Sequence, residues 1–394
     1  MMRMQKANPG GTLAPDEVVG RDELVEQLWR RLERQSLYIT AERRMGKSSV
    51  VRDKMGSTIP AGWTFLYLDV SNAVTPLEFV EVLLGASRQS LSAATVGKFN
   101  FLQIASKLAG LQITAPLGFK LPDTLKVQWK TLLTELLQDL ENLGGVVVLA
   151  FDELPLMLDA IQRREGAAVV MEILDTLRAV RQMNSPLRMI YTGSLGIHHI
   201  LSVLREQGYQ NEPINDMYTV NLEPLTEAHA TELVLRLLYG ESVSCDNYDA
   251  IALHIAQETD RIPFYIQHVV AELGVAGAIA TQERVNDYLH ESLNDGLDRW
   301  NLVYYDERID THYLLAHRQI ARATLDMLAT QPPKTVDEIT EGIDPARIER
   351  DRETVLRVLR LLGSDHYTTV EEGRYRFRSA FIQRVWRSRR GLGE

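Results

Sequence analysis

Ala41-Glu42-Arg43-Arg44-Met45-Gly46-Lys47-Ser48 is the stretch on which the fold turns. It follows a short apolar run, Ser36 to Thr40 (SLYIT), and leads into a polar segment with the character of a helix start. The spacing is that of a GxxxxGK[ST] phosphate-binding loop, with Ala41 in place of the first glycine. A strand–loop–helix succession of this kind points free backbone N–H groups at one spot, where an anion is favoured. Gly46 lets the backbone come close without a Cβ clash. Lys47 has the reach for the outer phosphates of a nucleotide, and the Ser48 hydroxyl suits Mg2+. The alternative is a chance GKS at a helix start, and the strand before and helix after argue against it.

Working outward, Val146 to Phe151 is almost wholly apolar and β-branched, as in a strand buried on both faces, and it ends in Asp152-Glu153. An apolar strand that delivers two carboxylates fits a Walker B element. Asp152 serves the Mg2+ shell as a hard oxygen ligand, and Glu153 polarises the attacking water. Solvated acids at a strand end are the plain alternative, weakened by the phosphate loop upstream. Thr64 to Val70 and Arg188 to Thr192 read as further strands. Helices are expected from Asp22, over Thr75–Leu91, over Leu125–Leu143 with a stop at Gly144-Gly145, and over Gly166–Met183. Residues 17–194 thus alternate strand and helix, the pattern of a parallel α/β sheet. Residues 111–119 (LQITAPLGF) suggest a strand or small hairpin, and residues 1–15 an extended arm.

After Pro224 the expected elements are helices: Thr226–Tyr239, Asn247–Gln257, Pro263–Ile279 and Thr281–Leu293. Residues 294–312 read as a linker. A helix–helix–helix–hairpin order follows, with helices Tyr313–Thr330, Thr335–Glu341 and Asp344–Leu362. The strands His366–Val370 and Arg374–Arg378 turn at Glu371-Glu372-Gly373. That order is a winged helix. The expected domains are an N-terminal arm (1–16), an α/β ATPase domain (17–222), a helical lid (223–295) and a winged helix (296–394).

Five segments together resemble the archaeal-type ATPases of the STAND group, within the AAA+ class of P-loop ATPases. They are Val19-Gly20-Arg21-Asp22-Glu23-Leu24, AERRMGKSS, VVLAFDEL, Ile190-Tyr191-Thr192-Gly193-Ser194 and Arg261-Ile262-Pro263-Phe264-Tyr265. The resemblance implies ATP and Mg2+ as cofactors, bound between the α/β domain and the lid. It places Val19, Gly20 and Arg21 near the adenine and ribose, and Pro263 on the base. It puts Arg44, Met45, Gly46, Lys47, Ser48 and Ser49 around the phosphates, with Ser48 and Asp152 on the metal. Lys47, Asp152, Glu153 and Ser194 carry hydrolysis, with Thr192 or Ser194 sensing the γ-phosphate. It further implies a homo-oligomer and a protein partner encoded nearby. Arg261 stands where the family has glycine. For an arginine finger from a neighbouring subunit, Arg178, Arg181, Arg188 and Arg205 are all candidates.

The chain has 394 residues and a formal net charge of −10. Its length calls for more than one core, and its composition excludes a disordered or collagen-like chain. Cys245, the only cysteine, excludes an internal disulfide framework and fits a reducing, cytoplasmic setting. It reads as a small apolar residue. No apolar run approaches the roughly 18 residues of a spanning helix, so no membrane contact is expected. His198-His199 and the pair His312 and His317 have poor spacing for a metal.

The charge is uneven: residues 374–390 hold seven arginines and no acid. Either Arg374, Arg376, Arg378 and Arg387 contact double-stranded DNA, or this end docks on an acidic protein surface, or it serves solubility alone. Tyr375, Phe377, Phe381, Val385 and Trp386 read as core. Three functions follow: an ATPase switch engaging a partner, a DNA-binding regulatory ATPase of the origin-recognition or transposition type, or a nucleotide-held assembly module of a defence system with little turnover.

Overall fold

The computed structural model describes residues 3–109, 120–183, 186–343 and 351–393. The segment 111–119, expected as a strand or hairpin, lies outside them. The chain forms two compact units. One, here the sheet unit, comprises Ala14–Ala41 and Lys47–Leu222. The other, the helical unit, comprises Met1–Leu13, Glu42–Gly46 and Glu223–Glu394.

The sheet unit is a parallel sheet of five strands. They are β1 (Leu37–Thr40), β2 (Thr64–Asp69), β3 (Val147–Asp152), β4 (Leu187–Tyr191) and β5 (Tyr218–Asn221). The order across the sheet is β2-β3-β4-β1-β5. All six residues of β3 are buried, as its unbroken apolar run requires. The helices are α1 (Asp22–Leu32), α2 (Pro76–Ser90), α3 (Ala93–Val96), α4 (Asn100–Ala109), α5 (Trp129–Glu141), α6 (Leu154–Glu165), α7 (Ala167–Gln182) and α8 (Ile197–Glu206). Helix α1 begins with Asp22-Glu23 and ends with Arg30-Arg31, charges that suit the helix dipole at both ends. Thr75 caps α2 by accepting from the Glu78 N–H, with Pro76 at the first helical position. The core runs through Phe151, whose ring meets Phe79 at 5.5 Å and Tyr191 at 5.9 Å. Trp29 is core as expected, edge-on to Trp63 and Phe65.

Strand β5 is absent from the sequence expectation. Its four residues are half-buried or exposed, so it lacks the apolar signature of an inner strand. Arg181 fixes the segment leading to it. The buried guanidinium donates to both Asp216 oxygens (2.8 and 3.0 Å), to the Tyr191 hydroxyl (2.5 Å) and to the Pro213 carbonyl (2.5 Å).

The helical unit holds α9 (Glu227–Gly240), α10 (Tyr248–Glu258), α11 (Pro263–Ala276), α12 (Gln282–Leu293), α13 (Tyr304–His312), α14 (Leu315–Thr330), α15 (Val336–Gly342), α16 (Arg352–Ser364) and α17 (Ala380–Arg390). The hairpin β6 (Thr368–Glu371) and β7 (Arg374–Phe377) precedes α17. Thr226, Asn247, Thr281 and Ser379 cap four of these helices through their side chains. The expected linker 294–312 contains α13. That helix is rich in acids and inserts Tyr305, Arg308 and Ile309 into the core. The expected third helix begins at Arg352, capped by Asp351; residues 344–350 lie outside the described set. Strand β6 starts two residues later than expected because His366 takes a left-handed turn (φ 65°).

Helix–helix–helix–hairpin is the observed order, and Lys334 adds a bridge to β7 by exchanging two backbone hydrogen bonds with Tyr375 (3.0 and 2.7 Å). Phe377, Phe381, Val385 and Trp386 are buried as expected, while Tyr375 is only half-buried. The N-terminal arm is tied down. Gln5 N–H donates to the Arg236 carbonyl (3.0 Å), Ala7 N–H to Glu241 (2.7 Å) and Asn8 N–H to the Gln267 side chain (2.8 Å). Gly240 permits this, since a Cβ there would lie 1.9 Å from the Gln5 carbonyl oxygen.

Candidate functional site

The loop after β1 is short and turns twice into the left-handed region, at Arg44 (φ 72°) and Gly46 (φ 85°). A Cβ built on Gly46 meets nothing within 4 Å, so the space beside the backbone is open at that point. Lys47 is 8% exposed, and its ammonium donates to the Ala41 carbonyl at 3.1 Å. After Ser48 the chain makes a widened helical turn, Ser49–Lys54, in which the Met55 N–H reaches back to the Val50 carbonyl. Such wide turns recur at functional sites. Val19 and Arg21 are buried, and Gly20 turns the chain (φ 69°) just before α1. In the helical unit, Pro263 opens α11.

The acid pair stands at the carboxyl end of β3. In doubly wound sheets this is the edge where ligands bind. Asp152 is 4% exposed, and its two oxygens are held from the two flanking strands. The Tyr67 hydroxyl of β2 donates to Oδ2 at 2.6 Å, and the Thr192 hydroxyl, just beyond β4, donates to Oδ1. Glu153 adopts a left-handed conformation (φ 60°). A residue of this kind costs of order 1 kcal/mol and tends to persist at working sites. Its Oε2 accepts from both the N–H (2.9 Å) and the hydroxyl (2.8 Å) of Ser194. Thr192 and Ser194 therefore each hold one acid.

Sequence reading missed Tyr67. Its partner is 85 positions away, and no local motif marks a tyrosine in the middle of a strand. It also missed the setting of the loop arginines. The Arg43 guanidinium lies 3.8 Å over the Tyr304 ring and that of Arg44 lies 4.0 Å over Phe264. Glu42 hydrogen-bonds the Tyr305 hydroxyl, which in turn meets the Tyr265 hydroxyl at 3.1 Å. Burial, with Arg44 nearby, pushes His268 down to about 4. His268 is then neutral when folded and protonated near 6.5 when unfolded. The unfolded state binds the extra proton, so stability falls as pH drops from about 6.5 toward 4. Urea unfolding across that range should show a shallower pH slope in His268→Gln than in the parent.

Two arginine-finger candidates are committed elsewhere. Arg181 is the buried clamp described above, and Arg188 donates to the Leu32 and Glu33 carbonyls. Arg205 pairs with Glu212 at the surface, and Arg178 keeps a buried Nε without an acceptor. Arg261, which stands in place of glycine, takes the left-handed conformation (φ 59°) that glycine would adopt freely. Burial pushes the Cys245 thiol up to about 11, which agrees with an inert residue.

The basic end is largely matched by acids of its own unit. Arg374 pairs with Glu338, Arg376 with Glu371, Arg378 with Glu223, Arg384 with Glu258, Arg389 with Asp298 and Arg390 with Asp326. Arg387 donates to the Gly393 carbonyl. No helix among the described residues is long and apolar enough to cross a membrane.

Neither a protein-family model nor a curated protein matches the chain. Among solved structures it is similar to the Walker-type ATPase paby2304 of Pyrococcus abyssi. Identity is 17%, the TM-score is 0.65, and the match covers 96% of this chain and 99% of that one. It is also similar to the ORC2 protein of Aeropyrum pernix, solved as ADPNP–ADP complexes, at 13% identity and a TM-score of 0.53, covering 96% of each chain. The chain has the α/β fold of these P-loop ATPases, followed by a helical C-terminal region.

Proposed function

We propose that this chain binds ATP with Mg2+ and hydrolyses it, acting as a AAA+/STAND-type switch whose nucleotide state governs assembly or engagement of a protein partner. The observation that carries the reading is the paired anchoring at the end of β3: Asp152 held by Tyr67 and Thr192, and Glu153 held by Ser194. Two neighbouring carboxylates, each fixed by its own donors, suit separate tasks. The residues fit the groups they would hold. Space is open beside the Gly46 backbone, and Ser48 and Asp152 are hard oxygen donors of the kind Mg2+ prefers.

In this reading Lys47 exchanges the Ala41 carbonyl for phosphate oxygens. The N–H groups of Gly46 to Ser49 bind the phosphate chain. Ser48 and Asp152 hold the metal, which when bound neutralises charge developing on the phosphates. Glu153 orients water toward the terminal phosphate, and Ser194 sets its position. Val19, Gly20 and Arg21 serve the base and ribose. Lys47→Ala is expected to abolish detectable ATP binding and hydrolysis, measured by isothermal titration and phosphate release. Unchanged binding would end the reading.

Residues 315–390 have the element order of a winged helix. The acid partners of six of the seven arginines in residues 374–390 support a role in holding the helical unit together more than a role in DNA contact. Retention on double-stranded DNA that weakens steeply with salt and is lost when Arg374, Arg376, Arg378 and Arg387 are replaced would reverse that preference.

A further inference from the structure

We infer that Tyr67 is a positioning residue for the Asp152 carboxylate and thereby for the divalent cation bound with ATP. The inference rests on the ATP and Mg2+ reading above. Strands β2 and β3 run parallel in register, Tyr67 beside Ala150 and Asp69 beside Asp152. Side chains two apart along a strand share a face, so Tyr67 and Asp152 lie diagonally on one face of the sheet. That diagonal is about 7–8 Å between backbones, within reach of a long aromatic side chain. The phenol spans it and donates at 2.6 Å. Thr192 is the next residue after β4 and needs only a short hydroxyl to reach the other oxygen.

The two donors have different origins and one effect. Each carboxylate oxygen has two acceptor sites. One on each oxygen is taken, from opposite sides, so rotation of the carboxylate is fixed and the remaining sites face a defined direction. Both donors are neutral, so the full negative charge stays available to a cation. A lysine or arginine in place of Tyr67 would cancel that charge. The Arg52 guanidinium lies 6.0 Å from the Tyr67 ring and is bound to Asp53 by two hydrogen bonds of 2.7 and 3.0 Å.

Outer partners of metal ligands typically contribute a factor of ten or more to metal affinity. The test is Mn2+ binding, followed by electron paramagnetic resonance, to the full chain with a non-hydrolysable ATP analogue. Tyr67→Phe should weaken Mn2+ binding about tenfold. Affinity for the analogue without metal should be unchanged. Thr192→Val should act in the same direction, and Thr192→Ser, which keeps the hydroxyl, should bind Mn2+ as the parent does. Thermal unfolding within a few degrees of the parent checks that Tyr67→Phe is folded. If it is not, the contrast between Thr192→Val and Thr192→Ser decides whether hydroxyl anchoring of Asp152 governs the metal. Parent-like Mn2+ affinity in folded Tyr67→Phe overturns the role of Tyr67 and leaves the ATPase reading standing. A parent chain that takes up no Mn2+ with the analogue overturns both.

Discussion

Glu153→Gln is expected to bind ATP as the parent does and to turn it over at least about a hundredfold more slowly, since a positioned base contributes a factor of roughly 10² to 10⁴. The substitution is nearly isosteric. A glutamine carbonyl still accepts from the Ser194 N–H and hydroxyl, so the tether that fixes Glu153 persists. The left-handed backbone at this position is also kept. What is lost is the charge that, in the proposed mechanism, orients and polarises water. In the proposed mechanism binding rests on Lys47 and the loop amides, which the change does not touch. Ser194→Ala removes one of the two donors and keeps the backbone one, so its loss of turnover should be smaller, about tenfold. Single-turnover phosphate release beside equilibrium ATP binding separates the two effects. A Glu153→Gln rate equal to the parent's would place water activation elsewhere.

How much of this site can be read from sequence follows from how local each feature is. The loop 41–48 and the acids 152–153 are contiguous motifs, and the flanking apolar runs Ser36–Thr40 and Val146–Phe151 announce their strands. The helix stop at Gly144-Gly145 and the caps at Thr226 and Thr281 are equally local. Tyr67 is invisible by the same logic, because its meaning comes from strand register with a segment far downstream. Strand β5 hides because an exposed edge strand carries no apolar run. Helix α13 hides because it is acidic and buries an arginine where an apolar residue is expected. The arginine run at 374–390 is plain as composition. Its partners Glu223, Glu258, Asp298, Asp326 and Glu338 come from across the helical unit, so the neutralisation emerges only on folding.

Asp365→Ala is expected to destabilise the helical unit by about 3–5 kcal/mol, the cost of leaving a buried charge without its partner. Asp365 and Arg308 have side chains 0% and 4% exposed and form a direct ion pair. Arg308 also donates to the Asp365 carbonyl (3.2 Å), and the Tyr313 hydroxyl donates to the second carboxylate oxygen (2.6 Å). The guanidinium sits beside the Tyr304 and Tyr367 rings, at 5.9 and 5.8 Å. Removing Asp365 therefore strands a cation and an aromatic hydroxyl in a closed core.

A neutral pair that fits the same space is expected to serve as well, because well-packed neutral replacements of buried ion pairs are often neutral or better. Arg308→Met combined with Asp365→Asn keeps apolar volume beside the rings and an acceptor for Tyr313. That double variant should recover most of the loss seen in Asp365→Ala alone. Urea unfolding followed by tryptophan fluorescence, to which Trp300 and Trp386 buried in this unit contribute, reads the difference. A double variant as unstable as Asp365→Ala would mean that the charge itself, and not its satisfaction, holds α13 to the end of α16.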